Sequence, residues 1–196
     1  MNKLLLLILL VAYCVMGYGQ IKVGEYYSEL GERNFDIISV KSKKGFVDYY
    51  INCHTSDGSE AGFILNEKDV EKFCNALNVI KSKHTDWTKL AKQNNITDYN
   101  KPFDVKIKPV TAFFKYGDEL FIQLNVPVKD VFLISGGNYI ALLLSGKLTA
   151  STNRYIVGEG FMLGFTTEDR IDNFINDLLS AVRKAHENAA TDELFK

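Results

Sequence analysis

The chain has 196 residues, with 23 basic and 24 acidic side chains and a formal net charge of −1. That balance argues against a nucleic-acid partner, because affinity for a polyanion comes largely from Lys and Arg neutralising phosphates. Three cysteines with no CxxC or Cys/His spacing exclude a disulfide-dense scaffold and give no structural zinc site.

The first twenty residues, MNKLLLLILLVAYCVMGYGQ, place Lys3 before an apolar run from Leu4 to about Val15, then Gly17 and Gly19 around Tyr18. This is the order of a secretory signal peptide cut between Gly19 and Gln20. The run is short of the ~20 residues that a membrane-spanning helix needs. The expected location is therefore periplasmic or extracellular. Cys14 sets up a minor alternative, a lipoprotein anchored through that cysteine, against which the bulky Tyr13 before it argues. Residues 1–19 are read as the cleaved signal and 20–196 as a single domain without a membrane span. Loss of Lys3 takes the charge from −1 to −2. Cys53 and Cys74 remain, and an oxidising compartment permits a Cys53–Cys74 bridge as readily as two buried thiols.

Beyond the signal, SKKG, TSDGS, YGDE, SGGN and SGK separate short apolar, β-branched or aromatic runs. Gly, Asn and Asp supply the positive φ of tight turns, so the runs read as hairpin-connected strands. Alternation puts Val47, Tyr49, Ile51 and Cys53 on one face of a strand and Asp48, Tyr50, Asn52 and His54 on the other. By the same reasoning Leu120, Ile122, Leu124 and Val126 point inward, opposite Phe121 and Gln123. The run NYIALLLS is apolar on both sides, which predicts a central strand covered on both faces. Pro109 and Pro127 belong at strand ends, bulges or edges.

Two amphipathic helices are predicted. The first is capped by Asn66 and aligns Val70, Phe73, Cys74, Leu77 and Ile80. The second starts near Thr166 and aligns Ile171, Phe174, Ile175, Leu178, Val182 and Ala185. Between them TDWTKLAKQNN extends the first helix or forms a short one, and NNITDYNKP reads as a loop carrying the formal glycosylation sequon Asn95-Ile96-Thr97. The strand-to-helix corners resemble each other: Gly62-Phe63-Ile64-Leu65 matches Gly160-Phe161-Met162-Leu163, and Val70, Phe73 and Leu77 match Ile171, Phe174 and Leu178. The match suggests half-repeats over 35–95 and 103–190, although packing a strand-to-helix corner on a sheet demands much of the same pattern.

Chemistry is sparse. Cys53 and His54 are neighbours on a strand and point to opposite faces, so they form no nucleophile–base pair. His54, His84 and His186 show no ligand spacing. Glu159 is the catalytic candidate: alternation from Val157 to Phe165 places it on an apolar side, where its copy-mate is Ala61, with Lys147 or Arg154 as cationic partner. Gly158, Gly160 and Gly164 on the opposite side leave room for close approach, by the protein itself or by a ligand. Tyr50 and Phe121 are further ligand candidates among the strand aromatics Tyr26, Tyr27, Phe46, Tyr49, Phe113, Phe114 and Tyr116, which either form a core or a recognition surface.

The expected fold is α+β: a curved antiparallel meander sheet of about seven to nine strands with two main helices on one face. The expected function is an exported non-catalytic binding or interaction module for a protein, peptide, glycan or apolar ligand, with no cofactor and no metal. An exported hydrolase or isomerase built on Glu159 is the alternative, and a single-stranded nucleic-acid binder the least favoured.

Overall fold

The computed structural model of the protein describes residues 20–41 and 47–194. The signal segment with Cys14, and Lys43, Lys44 and Phe46 of the first turn, lie outside the described residues.

The described chain runs β1 (Gln20–Ser28), β2 (Arg33–Lys41), β3 (Val47–Thr55), β4 (Ala61–Asn66), α1 (Glu67–Gln93), β5 (Tyr99–Pro102), β6 (Val110–Tyr116) and β7 (Glu119–Val126). It continues as β8 (Lys129–Ser135), β9 (Asn138–Leu144), β10 (Leu148–Ala150), β11 (Asn153–Gly158), β12 (Phe161–Phe165) and α2 (Glu168–Leu194). Ten strands form one antiparallel sheet in the order β5-β8-β9-β12-β3-β4-β6-β7, with β2 also on β3 and β1 on β2. One edge of β3 is shared end to end: Val47–Ile51 pair with β2, and His54 and Thr55 pair with β12. The α+β class and the helices on one face are as the sequence indicates. The count is higher because β1 adds an edge strand and Tyr99–Pro102, read as loop, pairs with β8.

The cover on the helix side has three parts. Helix α1 packs on β3, β4 and β9, while α2 packs on β1, β2 and β12 and against α1. The β10–β11 hairpin roofs β6–β7, with Leu148 and Ala150 buried and the Ser151 N–H donating to the Ile122 carbonyl at 2.9 Å. Beneath lie Tyr49, Ile51 and Cys53 of β3, Phe63 and Leu65 of β4, and Phe132, Leu143, Phe161 and Leu163 of the other half.

Local chemistry sets the helix ends. The Asn66 side chain accepts the Asp69 N–H at 3.1 Å, capping α1, and α1 continues unbroken through Trp87 and Ala91. At its far end Asn95 adopts φ 53°, the Ile96 N–H reaches the Ala91 carbonyl at 3.0 Å and the Asn95 N–H the Lys92 carbonyl at 3.3 Å. That is a Schellman stop with Asn in the left-handed position. In α2, Thr167 Oγ1 accepts the Arg170 N–H at 3.3 Å, while Thr166 donates through N–H and hydroxyl to Glu29.

The two matched corners meet. Phe63 and Phe161 lie ring to ring with centroids 5.2 Å apart, and each corner packs a ring on its own helix, Phe63 against Phe73 at 5.2 Å and Phe165 against Phe174 at 5.5 Å. Each corner ends a run of three antiparallel neighbours, β2-β3-β4 before α1 and β8-β9-β12 before α2, the second interrupted by the β10–β11 hairpin.

Three expectations about faces are corrected. In β7, Leu120 and Leu124 are 41% and 59% exposed. Register with β6 sets Phe121 opposite buried Phe114 and Gln123 opposite buried Ala112, so those two face the helix side. An irregularity between Val110 and Ala112, with Asn125 at φ 55°, inserts the extra residue that returns Val126 inward. In β9, Ala141 and Leu143 are buried under the helices, but Ile140, Leu142 and Leu144 stay part-exposed; β9 is central, yet no second layer of the described residues covers its outer face. The segment 157–165 is two strands rather than one, because β11 ends at Gly158 and β12 begins at Phe161.

Candidate functional site

Register places one set of side chains on the face away from the helices. Ile38, Tyr50, Ile64 and Ile122 come from β2, β3, β4 and β7, and Val131, Leu133, Ile140, Leu142, Leu144 and Met162 from β8, β9 and β12. All are part-exposed. Phe113 shares this face but is buried: its ring lies over Gly62, where an added Cβ would sit 2.8 Å from Phe113 Cζ, and it packs on Tyr50 at 5.4 Å. A bare glycine in a strand roofed by a cross-strand ring keeps the sheet closed without a side chain there.

This face deepens into a groove at one end. The β4–β6 pairing runs from Ala61–Phe114 to Ile64–Thr111 and stops. Beyond it the strands diverge, and Lys108 reaches α1, its Nζ 2.9 and 3.1 Å from the two Asp69 carboxylate oxygens. The resulting cavity is about 770 Å³, within the roughly 300–1,000 Å³ typical of small-molecule sites. Tyr50, Ile64, Ile122 and Leu124 line it from the sheet and Phe73 and Ala76 from α1, with Asp48, Asn66, Thr111 and Lys106 around them.

The charges in the groove are unequal in their surroundings. Lys108 holds the Asp69 carboxyl below the usual carboxylate range, with Lys72 3.8 Å away. Asp48 has no hydrogen-bond or ion-pair partner among the described residues, and burial pushes its carboxyl up. Burial, then the Asp48 charge, pushes the Tyr50 phenol up as well. A carboxylate withdrawn from water without a partner marks a site with affinity left over.

Of the residues singled out in the sequence, Tyr50 lines this groove. Glu159 lies at the other end of β3, on the order of 25 Å away by strand rise. It sits at the β11–β12 corner, 3.3 Å from Lys147 Nζ, and accepts from the Ser56 hydroxyl at 3.1 Å. Arg154 instead lies over the Tyr155 ring. Added Cβ atoms at Gly158, Gly160 and Gly164 would meet Phe114, the carbonyls of Ser145 and Gly146, and Leu30 respectively. Phe121 is on the helix side, 5.9 Å from Phe114. Tyr26, Tyr49 and Phe114 are core, whereas Tyr27 and Tyr116 are exposed.

Cys53 and Cys74 are separate buried thiols, pushed up by burial to about 12 and about 11. Thiols so far from ionising are poor nucleophiles. His84 is buried against Phe132 with Nε2 3.2 Å from the Tyr139 carbonyl, and His186 pairs with Glu67 at 3.1 Å. Among the described residues no three His, Cys, Asp or Glu side chains converge as a metal site, and no helix is long and apolar enough to cross a membrane.

Sequence reasoning missed Asp48, Ile64, Ile122, Leu124 and the 106–111 wall. The available signals were Pro109 after KIK and Asn125 before Val126-Pro127, which mark where neighbouring strands start and stop. No protein-family model, curated protein or solved structure matches the chain.

Proposed function

We propose that the protein is an exported, non-catalytic binding module that takes an apolar ligand into the groove and onto the adjoining open sheet face. Export rests on the order of charge, apolar run and small residues in 1–19. The observation that carries the binding reading is the asymmetry of the sheet. One face is roofed by α1, α2 and the β10–β11 hairpin, while the other leaves aliphatic side chains of six strands part-exposed around a 770 Å³ groove. Contiguous apolar surface of this kind, left open on a soluble domain, is characteristic of an interaction site. Carboxylate chemistry at Glu159 has less support, since Lys147 and Ser56 already satisfy that side chain and it does not line the groove.

The test is titration of the intact chain with N-phenyl-1-naphthylamine, a neutral fluorescent aromatic. Saturable enhancement is expected, weakened about tenfold by Ile122→Gln with Leu124→Gln, the scale of losing apolar burial at two positions. Val79→Gln, on an exposed position of α1, leaves binding unchanged. Absence of saturable binding, or an unchanged affinity in the double variant, overturns the reading.

A further inference from the structure

Resting on that reading, we infer that the groove selects apolar molecules ending in a protonated amine, the ammonium seated between the Asp48 carboxylate and the Tyr50 ring. Among the described residues five charged side chains line the groove: Asp48, Asp69, Lys72, Lys106 and Lys108. Asp69 is occupied by Lys108 at 2.9 Å and approached by Lys72 at 3.8 Å, so those three form one internally compensated group. Lys106 is an exposed residue whose charge water already solvates. Asp48 is different: it is part-buried, and no cation or hydrogen-bond donor satisfies it among the described residues. An incoming anion would meet that uncompensated negative charge, and an uncharged ligand would bury it further.

A cation removes both problems and gains a third contact. Asp48 and Tyr50 are two apart on β3 and so share a face, and the Tyr50 ring is fixed by Phe113 at 5.4 Å. Carboxylate plus aromatic face is the pairing that recognises ammonium, one through charge and the other through the ring quadrupole. The alkyl or aryl body then lies along Ile64, Ile122 and Leu124, which border Tyr50 in the groove.

The experiment compares octylammonium, octan-1-ol and octanoate on the intact chain at neutral pH by calorimetry and by displacement of the naphthylamine. Octylammonium and octan-1-ol share one octyl body, so their difference reports the head group; octanoate is one apolar carbon shorter, worth about fourfold, and only a deficit larger than that is read as its head group. Octylammonium is expected to bind about tenfold tighter than octanol, the scale of a hydrogen bond to a charged group, with octanoate weakest. Asp48→Asn removes the preference for the amine: octylammonium weakens, and octanol binds at least as tightly as to the unaltered chain, because it no longer buries an unpaired charge. Equal binding of amine and alcohol by the unaltered chain, tighter binding of octanoate, or an amine preference that survives Asp48→Asn overturns the inference while leaving the groove reading intact. Binding of none of the three overturns both.

Discussion

Gly62 couples the matched strand-to-helix corner to the open face, so Gly62→Ala tests the packing account sharply. The added Cβ would lie 2.0 Å from the Ile51 carbonyl oxygen and 2.8 Å from Phe113 Cζ. The carbonyl belongs to β3, which β2, β4 and β12 hold in register, so it cannot retreat without disturbing several ladders. The ring can retreat only off the sheet, leaving Tyr50. Overpacking of this kind costs about 3 kcal/mol, the upper end of the usual range. For a domain of this size that lowers Tm by about 6–12 °C. Urea and thermal denaturation followed by circular dichroism measure it, with Gly146→Ala as control, since a Cβ there meets nothing within 4 Å. Binding of the naphthylamine falls in parallel, because Phe113 positions Tyr50. A Gly62→Ala chain within about 0.5 kcal/mol of the unaltered one, a change typical of a neutral surface site, refutes the reasoning.

Three other outcomes follow from individual side chains. Burial raises the Asp48 carboxyl above its unfolded value of 3.8, so the folded chain holds that proton longer and loses stability as pH rises through the window above 3.8. Asp48→Asn removes that loss and stabilises the unliganded protein at pH 7, by up to about 1 kcal/mol for an unpaired, part-buried polar group, as a rise in urea midpoint. Burial depresses His84 below its unfolded 6.5. Its contribution is complete above pH 6.5 and is lost as pH falls from there through the depressed value; in denaturation curves at several pH values, His84→Gln flattens that part of the profile. Asn95→Ala destabilises the α1 stop by about 1 kcal/mol, because Ala tolerates φ 53° poorly, whereas Asn95→Gly is neutral or stabilising; thermal melts distinguish them.

The parts legible in sequence are those governed by local periodicity. Asn66, Val70, Phe73, Leu77 and their counterparts Ile171, Phe174 and Leu178 announce their helices because one stripe must meet the sheet. Alternation likewise sorts Tyr49 from Tyr50. It fails in β7, where the extra residue before Val126 moves Leu120 and Leu124 to the outside, an event set by pairing with β6. It fails at Glu159 because the Gly158–Gly160 corner breaks the strand whose alternation placed it. NYIALLLS could not reveal that its second apolar face is open, since a covered face and a ligand-ready one use the same residues. The groove depends on where β4 and β6 part company, and Ile64 and Thr111 are separated in sequence by all of α1 and β5.

The most direct test of the account is a methyl-resolved NMR titration with N-phenyl-1-naphthylamine. The prediction is that Ile64, Ile122 and Leu124 shift together and saturate with one affinity, while Ile171 and Leu178 on the buried side of α2 stay still. Shifts gathered instead around the β11–β12 corner at Glu159, or spread through the core without saturation, contradict it.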